Sequence, residues 1–181
     1  LGKSTEVMWA YHLRRTMKVT KKIKTLKQLI KTISKSEMNG GSYVHFKELD
    51  KKESSCIHCV VGHLLLTGGM PVAKLEILDD LAVSPFGAYE IGYILTSVDD
   101  NNGNFVRDTL ATLGFFVNNE YKDDTDKLQK LQYINDNNLV DRSGKLIEFI
   151  EKWITEEEQK EGVENKHDSN DVSDTGDSRQ D

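Results

Sequence analysis

Five apolar residues near the C-terminus, Leu146, Phe149, Ile150, Trp153 and Ile154, recur at i, i+3, i+4, i+7 and i+8. Only an α-helix with one buried stripe puts all five on one side. No other stretch of the chain matches a single period so well, so this closing helix and whatever covers its stripe constrain the fold most. From Glu156 onward large apolar residues almost vanish, and Glu, Asp, Ser, Asn and Gly take over. Such a composition buries too little surface to offset the entropy of ordering it. Residues 156–181 are therefore expected to form a disordered acidic tail.

Helical spacing recurs upstream. Ile23, Leu26, Ile30 and Ile33, with Leu29 beside them, predict an amphipathic helix over 18–35 whose other surfaces carry lysines. Residues 56–67 are apolar nearly all round, which marks a helix buried in the middle of a domain, with Ser54 or Ser55 as its cap and Gly68-Gly69 as its end. Pro71 opens a further helix through Leu75 and Leu78, and residues 104–117 and 126–135 fit two more. In that reading Phe105 is a core residue, Ser143 caps the last helix and Asp99–Gly103 is a turn. Residues 42–46 favour a short strand and 47–53 a charged loop, while 86–98 fit helix and strand equally. The expected fold is mainly α: a compact bundle of five or six short helices, with room for one small strand or hairpin. The chain begins on Leu. Met8 and Met17 are candidate starts, and Met17 is preferred because the helical pattern begins just after it. Residues 1–17 are thus expected to be a non-structured leader or upstream extension, with one helical domain over 18–155.

Charge is strongly segregated. Residues 1–35 hold ten Lys/Arg and one Glu (+9), 36–155 hold eleven basic and nineteen acidic residues (−8), and 156–181 hold three and ten (−7). A basic front and an acidic rear invite charge pairing within or between chains. No apolar run approaches the roughly 18–20 residues a membrane span needs, and residues 1–17 lack the apolar stretch of a signal peptide. Two cysteines separated by two residues are no disulfide framework, so a reducing, cytoplasmic setting is expected.

The densest cluster of reactive side chains is Cys56-Ile57-His58-Cys59 followed by His63. A Cys-x-x-Cys at a helix N-terminus is a redox pattern, because the helix dipole lowers the first thiol's pKa. Alternatively, on one helix Cys56, Cys59 and His63 at i, i+3 and i+7 share a face suited to zinc, with His45 as a fourth ligand. A third reading makes a cysteine the nucleophile and His45 or His58 its base. Against all three stands the reading that the cysteines are small buried hydrophobes and His63 a partly buried side chain with satisfied hydrogen bonds. That reading is preferred, and no cofactor is expected. Asp99–Gly103 fails as a calcium loop, since Val98 and Thr109 occupy the positions that must be acidic.

One resemblance spans more of the chain. Cys59-Val60-Val61-Gly62-His63-Leu64, then Ile134-Asn135-Asp136-Asn137, then the closing helix to Trp153, resembles a group of uncharacterised bacterial and phage proteins. That group pairs a Cys-x-x-Gly-x-Leu helix with a later Asn-Asp turn. The resemblance implies a bacterial or phage setting and close helix contact at Gly62. It also implies that Asn135-Asp136 caps or braces the cysteine helix, or that Cys59, His63 and Asp136 form a polar site.

These readings lead to an accessory or interaction protein that works by surface contact with a protein partner; they lean away from an enzyme but leave that open. The alternatives are a thiol- or metal-dependent activity at Cys56, Cys59 and His63, and a nucleic-acid-binding accessory using Lys21, Lys22, Lys24, Lys27 and Lys31. Against the last, no aromatic residue interleaves those lysines and no Arg lies between Arg15 and Arg107.

Overall fold

The computed structural model of the chain describes residues 3–36, 38, 44–49, 53–81, 91–96, 101–117, 122–138 and 140–168. In order they form α1 (Lys3–Ile33), β1 (Val44–Leu49), β2 (Glu53–His58), α2 (Val60–Thr67), α3 (Val72–Leu81), α4 (Ile91–Thr96), α5 (Asn101–Thr112), α6 (Lys122–Asn137) and α7 (Arg142–Asp168). The protein is mainly helical, with one antiparallel hairpin among the described residues, in which Val44 faces His58 and Leu49 faces Glu53.

The two long helices frame the molecule. The stripe of α7 is core: Leu146, Ile150, Trp153 and Ile154 are buried, and Phe149 is packed against them. Its partner is the stripe of α1, with Val19, Ile23, Leu26, Leu29 and Ile33 buried. The helices run antiparallel: Arg142 at the start of α7 donates to the Met38 carbonyl just beyond α1, and Glu157 far along α7 meets Lys22. The all-round apolar helix α2 is central, as its composition predicts, with Val60, Val61, Leu64 and Leu65 essentially inaccessible.

Several boundaries differ from the sequence expectations, for definable reasons. Residues 3–17, expected to stand outside the fold, are the first half of α1. They are rich in strong helix formers and extend a helix whose later turns are anchored on the core. Residues 156–168, assigned to a disordered tail, continue α7. There Glu157 is buried not by hydrophobicity but by pairing with Lys22. Residues 169–181 of the expected tail lie outside the described residues. Cys56, expected to open a helix, lies on β2 opposite Phe46, because the hairpin supplies the backbone partners that a Ser54 or Ser55 cap would have supplied locally. Asn101–Gly103 belong to α5, while Asp99 and Asp100 fall outside the described residues. Ser143 sits inside the first turn of α7, whose Lys145 amide bonds the Asp141 carbonyl. Residues 91–96, undecided between helix and strand, are helical. Phe105 is exposed beneath the Lys74 ammonium, and Val106 takes the core position instead.

Docking of the distal part of α7 has a testable consequence. A chain ended after Glu156 loses the Glu157 carboxylate and the exposed Glu158–Lys27 pair. Its melting temperature should fall by several degrees, whereas a chain ended after Asp168 should stay within about a degree of the full protein. Equal, negligible shifts for both truncations would show that residues beyond 156 contribute nothing to the fold.

Candidate functional site

Helix α6 carries three buried polar side chains, Asp124, Gln132 and Asn135. Each accepts a hydrogen bond from the backbone amide of another segment. Asp124 Oδ2 accepts from Phe116 N at 2.6 Å, Gln132 Oε1 from Ile91 N at 2.7 Å and Asn135 Oδ1 from Val60 N at 3.3 Å. The first amides of a helix have no partner within it, so α6 satisfies the N-termini of both α4 and α2. This explains how polar residues sit in the core without the cost of unmade hydrogen bonds.

The cysteine motif is placed by the same device. Cys59 is the N-cap of α2, and its Sγ accepts from Gly62 N at 3.2 Å. Asn135, fully buried, accepts from the adjacent Val60 amide and donates through Nδ2 to Asp136 Oδ1 at 3.0 Å. Asn135 thus braces the cysteine helix from within α6, not from the Asn-Asp turn expected there, and Asp136 acts on that helix through Asn135. Cys59 is 2% exposed and His63 is half-buried one turn along.

This geometry revises the chemistry expected of the cluster. Cys59, not Cys56, meets the helix N-terminus, so the dipole acts on the second cysteine of the motif. Cys56 lies on β2 and His45 opposite Ile57 on β1, so Cys56, Cys59 and His63 do not share a helix face. Among the described residues no group of three His, Cys, Asp or Glu side chains could hold a metal ion. His58 closes β2 opposite Val44. Burial of Cys59 predicts slow chemistry, because a reagent must reach the sulfur before its nucleophilicity matters. In a Cys56→Ala background, Cys59 should resist alkylation at neutral pH and react fully after denaturation. Rapid labelling of the native protein would place an accessible thiol at the head of α2.

A second buried polar cluster joins α1, α6 and α7. Lys22 Nζ lies 3.0 Å and 3.1 Å from the two Asp124 oxygens and 2.8 Å from Glu157 Oε2, and all three side chains are nearly inaccessible. One ammonium therefore faces two carboxylates. Burial pushes the Asp124 carboxyl above its usual range, against the opposing pull of Lys22 and the Phe116 amide. Burial also acts on Glu157, but there the hydrogen bond and charge of Lys22, helped by Lys160 and Lys127, outweigh it and hold the carboxyl below its usual range.

Lys22 is thereby removed from the lysines available to an outside partner, and Lys27 is paired with Glu158 at 2.9 Å. Cations gather elsewhere. Arg14, Arg15, Lys18 and Lys21 on α1 line a groove of about 480 Å³ together with Tyr11, Met17, Ala111, Thr112 and Phe116. Lys24, Lys27 and Lys31 do not line it. Its far wall is held by glycine. Helix α5 ends in a Schellman motif, with Phe115 N bonded to Leu110 O and Gly114 N to Ala111 O. Gly114 has φ +92°, and a Cβ there would lie 2.4 Å from the Lys18 carbonyl. Only glycine allows this backbone contact, which brings the Phe116 ring to 5.5 Å from Lys18 Nζ and 5.1 Å from Lys22 Nζ. The aromatic residue missing from the lysine helix is thus supplied by the segment after α5. Sequence reading passed over Arg14, Arg15 and Lys18 as leader or solvated face. The spacing of Tyr11, Arg14, Lys18 and Lys21 at i, i+3, i+7 and i+10 was the available signal.

No helix among the described residues is long and apolar enough to cross a membrane. No protein-family model, curated protein or solved structure matches this chain.

Proposed function

We propose that this is a non-enzymatic accessory protein that works by surface contact, and that its contact surface is the cationic groove between α1 and the end of α5. The observation that carries this reading is the groove's composition: the exposed cations Arg14, Lys18 and Lys21, no carboxylate among the described lining residues, and Tyr11 and Met17, which are 47% and 66% exposed. Concentrated positive charge on a protein of net charge −6 points to an anionic partner, since the rest of the surface repels one. The thiol reading is less well supported, because Cys59 is committed to capping α2. Retention on immobilised heparin tests the proposal. The intact protein should be retained despite its net negative charge and released by salt, and Arg14→Glu with Lys21→Glu should abolish retention without changing the helical circular-dichroism signal. A protein that flows through unretained would sink it.

A further inference from the structure

We infer that the occupant of the groove is a single strand of nucleic acid, its phosphates on the α1 cations and a base against Tyr11. This rests on the preceding reading that the groove takes an anion, and it names which anion.

Spacing comes first. Arg14, Lys18 and Lys21 recur every three or four residues, so along the axis of α1 a cation appears about every 4.5–6 Å. A flexible phosphodiester chain can match that repeat one phosphate at a time. Shape comes second. The cations line a concavity walled by Ala111, Thr112 and Phe116, rather than crowning a convex ridge. A duplex is read by an element that projects into its groove, and a bilayer presents a plane. A single strand can follow exposed cations set along such a groove, which neither a rigid duplex nor a plane matches along its length. Ring chemistry comes third. Tyr11 is exposed at one end of the cation stripe, and the half-buried Phe116 ring, beneath the Lys18 and Lys22 ammonium groups, forms part of the wall. Aromatic faces combined with a cationic track are how single strands are held without sequence preference, because every base has a π-face. An acidic peptide would use the cations but gain nothing from the rings.

The test is fluorescence anisotropy of the full chain with a labelled oligothymidylate, the same-length duplex, polyglutamate and vesicles of phosphatidylserine and phosphatidylcholine. The oligothymidylate should bind tightest, with affinity falling as salt rises. Arg14→Ala with Lys21→Ala removes two phosphate contacts, which should flatten the slope of log K against log salt by about 1.4. Tyr11→Ala should weaken binding about tenfold while leaving that slope unchanged, and Tyr11→Phe should restore it, as expected for stacking. All three positions are exposed, and unchanged melting temperatures would confirm that the fold is intact. If polyglutamate or vesicles bind as well as the oligonucleotide, or if the duplex equals the single strand, the inference fails while the anion-binding reading survives. If no anion binds, both fail. If oligonucleotide binds but none of these variants alters it, the site lies elsewhere and the inference is overturned.

Discussion

Trp153→Ala should be the most damaging single substitution, costing about 3–5 kcal/mol, the range for truncating a large buried aromatic. The indole is 1% exposed. Phe115 and Phe149 pack tilted against it at centroid distances of 5.6 and 6.2 Å, and the Lys127 ammonium sits 5.4 Å from the ring. Truncation leaves a cavity between α7 and the segment after α5, the segment that also carries Phe116. For a domain of this size the cost corresponds to a fall in melting temperature of about 6–20 °C. The indole Nε1 finds no hydrogen-bond partner among the described residues, so Trp153→Phe, which drops that unsatisfied donor, should cost far less. Denaturant titration of both variants decides the matter: a loss below about 1 kcal/mol for alanine would show that α7 does not form the core contact described.

Lys22→Met should come close behind at neutral pH. It leaves the Asp124 and Glu157 carboxylates buried together with no ammonium between them. Breaking a buried ion cluster by removing one partner costs about 3–5 kcal/mol. The penalty must shrink on acidification. Without Lys22, Asp124 keeps only the Phe116 amide against burial and stays raised, while Glu157 loses its main lowering partner and keeps Lys160 at 3.5 Å. A raised carboxyl destabilises the fold as pH rises from the unfolded pKa through the folded one, and ceases to do so once protonated. The variant should therefore approach wild type below about pH 4. In the wild-type protein the two carboxyls oppose each other. Asp124, raised by burial, loses stability as pH rises above its unfolded value of 3.8. Glu157, held low chiefly by Lys22 against burial, loses stability as pH falls below 4.5. Adding Asp124→Asn and Glu157→Gln to Lys22→Met should recover much of the loss, since no unpaired charge then remains. Chemical denaturation at neutral and acid pH reads all of this. A Lys22→Met penalty that is independent of pH would mean that the carboxylates are not buried together.

The two substitutions bear on the groove as well as on stability. Lys22 and Trp153 hold α7 against α1 and the segment after α5, and that segment carries Phe116 on the groove wall. Loss of anion binding in either variant is therefore interpretable only beside its melting curve. Arg14, Lys21 and Tyr11 project from the exposed side of α1 and avoid that ambiguity.

The sequence by itself determined the elements whose signal is local. The stripes of α1 and α7, the all-round apolar α2 and the break at Gly68-Gly69 follow from periodicity and from glycine's backbone freedom, although α2 begins at Val60 rather than Cys56. Met70 N to Leu65 O closes that break as a Schellman turn, with Gly69 at φ +96°. What the tertiary structure decided concerns polar groups that meet across long sequence distances. Glu157 reads as tail until Lys22 is seen beside it. Asn135 reads as a turn residue until the Val60 amide is seen pointing at it. Lys18 reads as one more solvated lysine until Gly114 lets Phe116 approach. Hydrophobic burial is additive and non-directional, so a single sequence reveals which residues seek it. A hydrogen bond or ion pair inside a protein depends on one partner at one distance and angle, and a chain that carries the partners 75 or more residues apart holds no local trace of their meeting.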